Sequence, residues 1–118
     1  MVIVDTSVWI QHLNKGDKVL TYLLEKGEAA VHDYVLGELA AGNLKNRTFI
    51  LRLLQDLHRI NPITLEEFLI FTEKFKLNGK GLAFIDINLL AGSKLTGYPL
   101  FTYDKKLKSA ALKLNLNY

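Results

Sequence analysis

Apolar positions along this chain alternate between short continuous runs and helical stripes. Val2-Ile3-Val4 is a β-branched run, the pattern of a strand buried on both faces. It breaks into Asp5, Thr6 and Ser7, so the strand delivers a carboxylate to its C-terminal edge. Asp5 then has two readings. It is a cap for the following helix, or a functional group at the edge where open parallel sheets bind ligands. Ser7 to Asn14 carries Val8, Trp9 and Leu13 on one helical face. Lys15-Gly16-Asp17 makes a turn, and Asp17 is placed to cap a helix whose stripe is Val19, Leu20, Leu23 and Leu24. Gly27 marks its end. Ala29 to His32 reads as a strand, after which Asp33 caps a helix through Val35, Leu36, Leu39 and Ala40.

Arg47 to Leu57 predicts a fourth helix with Phe49, Ile50, Leu53, Leu54 and Leu57 inward. Arg59 to Asn61 reads as a short strand that Pro62 ends. Thr64 and Glu67 form a capping box for a helix carried by Leu65, Phe68, Leu69, Phe71 and Phe75. Asn78 to Gly81 is a loop, Leu82 to Leu95 a strongly helical segment, and Gly97 closes it. Pro99 to Thr102 reads as a strand, and Asp104 caps a last helix with Leu107, Ala110, Ala111 and Leu114 inward. Leu116 to Tyr118 adds a short edge strand. Strands alternating with helices predict an α/β fold: a central parallel sheet, right-handed crossovers and helices on both faces.

Length and composition narrow the class. A chain of 118 residues fits one domain, 1–118, and buries a core without staples. Its lack of cysteine excludes disulfides and thiolate-held zinc, and suits a reducing cytoplasm. There is no basic stretch before an apolar run, as in a secretory signal, and no apolar run of membrane-spanning length. The expectation is a cytoplasmic protein without membrane association. Fifteen Lys and Arg against twelve Asp and Glu give a net charge of +3, which permits a nucleic-acid partner without requiring one.

The acidic residues sort into two groups. Asp17, Glu25, Glu28, Asp56, Glu66, Glu67 and Glu73 lie among polar or capping positions, where solvation explains them. Asp5, Glu38, Asp86 and Asp104 instead follow or interrupt apolar segments. Two of them end strands, and two lie early in helices that begin at the same sheet edge, so all four can converge on one pocket. Two unit charges ~4 Å apart repel by about 4 kcal/mol at an effective dielectric near 20. A crowded all-oxygen cluster therefore calls for protons or a hard divalent cation, Mg²⁺ or Mn²⁺.

Other candidates carry less. His12, His32 and His58 lack the pairing of zinc ligands, and Gly79-Lys80-Gly81 lacks the spacing of a phosphate loop. Ser7 has no histidine in a triad-like setting, and Arg47, Arg52 and Arg59 read as solvated helix faces rather than a basic stripe.

With these residues assembled, the chain resembles the PIN-domain ribonucleases, and within them the VapC-like toxins of toxin–antitoxin pairs. The likeness covers nearly the whole chain. Its anchors are Val4 to Trp9, Val35 to Ala40, Ile85 to Ala91 and Phe101 to Leu107. The resemblance implies a PIN-like (Rossmann-like) α/β/α sandwich and Mg²⁺- or Mn²⁺-dependent endoribonuclease activity. It implies an acidic quartet of Asp5, Glu38, Asp86 and Asp104 that holds the metal and positions the attacking water. Thr6, Ser7 and Thr102 are the implied supporting hydroxyls. A homodimer is implied, as is a cognate antitoxin that occludes the site through an apolar groove rimmed by basic residues. Asn88 departs from the pattern, since many toxin relatives carry His there. Two other readings remain open: a PIN nuclease of RNA maturation or decay without an antitoxin, and a non-catalytic metal- or RNA-binding module.

Overall fold

A β-branched triplet makes the centre of the sheet. In the computed structural model, which describes residues 1–118, β1 (Val2–Val4) is flanked by β2 (Ala29–His32) on one side and β4 (Leu100–Phe101) on the other. β3 (His58–Ile60) lies outside β2, and all pairings are parallel, giving the order β3-β2-β1-β4. Every residue of β1 and β2 is buried, as their lack of apolar–polar alternation requires.

Parallel strands need crossovers, and the chain supplies helices in pairs. Helices α1 (Thr6–Lys15) and α2 (Lys18–Glu25) join β1 to β2, and α3 (Asp33–Ala41) and α4 (Arg47–Gln55) join β2 to β3. Helices α5 (Leu65–Lys74) and α6 (Phe84–Thr96) return the chain across the sheet to β4, and α7 (Lys105–Lys113) follows. The first two connections step one way from β1 and the third comes back to its other side. With right-handed crossovers, α1–α4 cover one face and α5–α6 the other. The reversal falls between β1 and β4, and a crevice outside their C-terminal ends is where such sheets take ligands.

Helix α6 is the buried helix of the set, with every residue from Ile87 to Ser93 enclosed. It crosses the sheet at Gly92, where a Cβ would stand 3.2 Å from Ile60 Cγ2 and 3.5 Å from His32 Cδ2. A side chain at 92 would need Ile60 to give way by a few tenths of an ångström.

Several sequence expectations shift. The third strand is His58–Ile60, one residue earlier than expected, and β4 is confined to Leu100–Phe101. The expected edge strand at Leu116–Tyr118 is a single parallel bridge, Leu100 to Asn117. In α4, Phe49 and Leu53 face solvent rather than the core, because this helix packs chiefly on α3 through Ile50, Leu51 and Leu54. Val19, Leu65 and Leu69 are likewise exposed. Asp33 is not the cap of α3. That role belongs to His32, whose Nδ1 accepts from Tyr34 N at 3.0 Å, while Asp33 pairs with Arg59 Nε at 2.7 Å.

His32 is fully enclosed, and its Nε2 has no hydrogen-bond partner. Burial holds the ring down to about 4, against a smaller opposing pull from Asp33. The unfolded chain takes up the proton near pH 6.5, so between there and about 4 it binds the extra proton and stability falls as pH drops. The loss over the whole window is about 3 kcal/mol. His32→Asn keeps an acceptor for Tyr34 N but cannot titrate. Urea melts from pH 7 to 4.5 are expected to show a lower starting stability and a flatter pH dependence than wild type. Parallel curves would contradict this reading of His32.

Candidate active site

β1 ends at the crevice with Asp5, a buried carboxyl group. It stands at the N-cap position of α1, but its side chain makes no capping bond. Instead Oδ2 accepts from Ser7 Oγ at 2.7 Å and from Thr102 Oγ1 at 2.7 Å. Each hydroxyl is also an acceptor: Ser7 Oγ takes Tyr103 N at 3.0 Å, and Thr102 Oγ1 takes Asp104 N at 3.0 Å. Two hydroxyls thus tie the segment after β4 to the carboxylate after β1. The strand pairing makes this possible, since Val4 sits opposite Phe101 and Asp5 N donates to Phe101 O at 2.9 Å.

The other three carboxylates are each held by a single donor. Glu38, exposed in the second turn of α3, accepts from Thr6 Oγ1 at 2.7 Å through Oε1. Asp86, in the first turn of α6, accepts from Ala83 N at 2.8 Å through Oδ2. This is half a capping box, because Ala83 has no side chain to return the bond. Asp104 caps α7, accepting from Leu107 N at 2.9 Å through Oδ1. In all four residues one carboxylate oxygen serves the fold, and the other accepts no hydrogen bond. None meets a cation, for the one salt bridge of the chain joins Arg59 to Asp33.

The four share one electrostatic neighbourhood. Burial pushes the Asp86 carboxyl up, and the charges of Asp5, Asp104 and Glu38 add to that rise against the hydrogen bond from Ala83. They are not a closed cage, because no three acidic or histidine side chains stand close enough to hold a metal ion as arranged. The donor set still suits a hard divalent cation: four carboxylates, four free oxygens, no neutralising side chain.

The remaining candidates fall outside this set. His12 Nδ1 accepts from Asp17 N, Arg47 Nη2 donates to Ala40 O, and Arg59 is engaged with Asp33, so none is a free ligand or stripe. Asn88 is enclosed, with Nδ2 donating to Phe84 O at 3.2 Å, which makes it a packing residue of α6. One supporting residue escaped sequence reasoning. Tyr103 donates its hydroxyl to Asp17 Oδ2, anchoring the turn before Asp104 to the cap of α2. Asp17 in turn holds the Tyr103 hydroxyl up at about 12. The only sequence signal was a tyrosine directly before Asp104.

Comparisons with known proteins agree on the architecture. The family model described as PIN domain matches residues 2–113. Over 111 residues the chain is 43% identical to Ribonuclease VapC32 of Mycobacterium tuberculosis (strain CDC 1551 / Oshkosh), spanning 93% of this chain and 90% of that relative. The same figures hold for Ribonuclease VapC32 of strain ATCC 25618 / H37Rv. The crystal structure of PAE2754 from Pyrobaculum aerophilum superposes with a TM-score of 0.63, covering 92% of this chain and 78% of that one. At 16% identity this last likeness bears on the fold alone.

The raised Asp86 carboxyl has a thermodynamic consequence. A carboxylate whose folded pKa lies above its unfolded one favours the fold only while protonated, and that contribution is lost as pH rises through the folded value. At neutral pH its charge therefore works against folding. Asp86→Asn removes that charge and keeps a carbonyl for Ala83 N. In EDTA at pH 7, its melting temperature is expected to equal or exceed that of wild type. A drop of many degrees would show Asp86 to be a structural acceptor instead.

Proposed function

Because this chain belongs to the PIN-domain family, we propose that it is a metal-dependent endoribonuclease, the toxin of a toxin–antitoxin pair, acting as one domain over residues 1–118. The observation that carries the mechanism is the division of labour within each carboxylate. Asp5, Glu38, Asp86 and Asp104 would hold Mg²⁺ or Mn²⁺ through the oxygens that the fold leaves unbonded. Bound there, the cation supplies an acidified water and stabilises charge on the scissile phosphate. The residues supply the rest. Asp5, pinned by Ser7 and Thr102, is the fixed ligand. Glu38, Asp86 and Asp104 are each held by a single donor. Thr6 steers Glu38, and Thr102 couples Asp5 to the position of Asp104. The name Ribonuclease VapC32 on relatives spanning nearly the whole chain favours RNA as substrate.

Two surfaces support the partner readings. An apolar groove formed by Tyr34, Ala41, Phe84 and Ile85 runs beside Glu38 and suits an antitoxin segment laid over the site. No basic residue lines it, so the basic rim expected from the resemblance is missing there. Between α5 and α6, Ile70 and Leu95 stand exposed across a second apolar groove, which suits a homodimer contact.

Purified protein is expected to cut single-stranded RNA in Mg²⁺ or Mn²⁺ and to stop in EDTA. Asp86→Asn should lower the rate by orders of magnitude and lose the thermal stabilisation that added Mg²⁺ gives wild type. Undiminished cleavage in EDTA by contaminant-free protein would falsify the mechanism.

Expression of the chain is also expected to arrest growth. Co-expression of a neighbouring antitoxin gene should relieve the arrest and yield a co-purifying complex. An arrest indifferent to every neighbouring gene product would leave the nuclease reading but remove the toxin–antitoxin one.

A further inference from the structure

The loop after α5 and the helix after Asp104 enclose a cleft of about 370 Å³. Lys76, Lys80, Lys105, Lys106 and Lys113 line it, and no carboxylate does. None of the five takes part in a salt bridge. Five like charges around one cleft repel each other, and nothing within the chain neutralises them.

The backbone adds two independent costs at the same place. Lys105 and Lys106 occupy the first turn of α7, which has no acidic residue. The macrodipole makes that end positive, so cations there weaken the helix. Lys76 holds φ at 53°, in the left-handed region that favours glycine or asparagine. Lys105 and Lys106 work against the helix dipole and Lys76 holds a left-handed backbone, and a bound anion would offset the charge cost at α7.

The cleft also has a direction. Lys106 lies across Gly81, where a Cβ would stand 2.8 Å from Lys106 Nζ. Gly81, at φ 74°, thus admits the lysine beside the loop that leads into Ala83, the residue whose N–H holds Asp86. At its other wall the cleft starts directly after Asp104. Through Lys106 and Lys105 the cleft adjoins the segments that carry Asp86 and Asp104.

We propose that this lysine-lined cleft binds the phosphates of a single RNA strand next to the acidic site. The proposal rests on the ribonuclease reading above. Lysines act as point charges on phosphate and read no base, so the cleft would hold the strand without regard to its sequence. A cation-only cleft beside a carboxylate cluster keeps a polyanion near a site that would otherwise repel it.

The test separates binding from cleavage. A short fluorescein-labelled single-stranded RNA is titrated with full-length protein in EDTA at several salt concentrations. Lys80→Gln with Lys113→Gln should reduce the slope of log K against log salt by about 1.4, at about 0.7 for each single-strand phosphate contact. Arginine at both positions should restore the wild-type slope. Lys26→Gln with Lys45→Gln, two lysines that do not line the cleft, should leave it unchanged. An unchanged slope in the Lys80/Lys113 variant, or an equal loss in the Lys26/Lys45 control, overturns the proposal. So does lysine-dependent binding of polyglutamate when RNA binding ignores those lysines, since the cleft would then serve an acidic protein. RNA held through these lysines but never cut in Mg²⁺ would uphold the cleft and sink the ribonuclease reading. RNA cut normally by a chain whose binding ignores the lysines would do the reverse.

Discussion

Two hydroxyl protons on one buried carboxylate oxygen hold this molecule's working edge together. Asp5 Oδ2 accepts from Ser7 and Thr102, and those same hydroxyls accept the backbone N–H groups of Tyr103 and Asp104. Strand β1, strand β4 and the start of α7 are therefore registered through a single atom. Hydrogen bonds to a charged group contribute about 1.5–3 kcal/mol each, more than neutral ones. They also fix which way the carboxylate faces. Asp104 and Asp5 come from opposite ends of the chain, and this small network is what makes them neighbours.

Within that frame the site is built on incomplete satisfaction. Each of the four acidic side chains commits one oxygen to hydrogen bonds of the fold and keeps the other unbonded. A fully bonded carboxylate would be a structural part, and a fully free one would be poorly oriented. Repulsion among the four is tolerated because the surrounding core is large, with 23 buried apolar residues in one cluster. The same core explains Asn88. It lies two residues past Asp86 on α6 but turns inward and bonds its own helix, so its departure from the expected histidine changes packing next to the acidic cluster.

Much of this was legible in the sequence, for identifiable reasons. Asp5, Glu38, Asp86 and Asp104 stood out because carboxylates at the ends of apolar runs are costly without a purpose. The strand order of a parallel sheet then brought them to one edge. Thr6, Ser7 and Thr102, the supporting hydroxyls that the resemblance implied, each donate to an acidic residue. What could not be read was tertiary choice. Phe49 and Leu53 fit an inward stripe by periodicity, but α4 packs on α3 through a narrower seam, and only the fold decides which seam. Asp33 had a capping residue's chemistry, yet His32 reached Tyr34 N first and left Asp33 for Arg59. Tyr103 and Asp17 meet 86 positions apart, a distance over which no local pattern speaks. The closed metal cage that convergence implied is likewise beyond sequence, since it depends on side-chain rotamers rather than on placement.

The bridge beyond β4 has a bearing on how the chain coexists with copies of itself. Leu116 accepts from Leu100 N at 2.7 Å, and Tyr118 N donates to Leu100 O at 2.9 Å. The Tyr118 ring packs on Phe101, with centroids 5.4 Å apart. These last residues occupy the outward hydrogen-bonding row of an edge strand that is apolar and only two residues long. An open edge of that kind is a template for strand addition by another chain. Here residues 116–118 already fill it, so another chain finds no free ladder at β4. Trimming or displacing residues 116–118 would bare that ladder right beside Asp5, where intermolecular pairing would both clump the protein and bury its working edge.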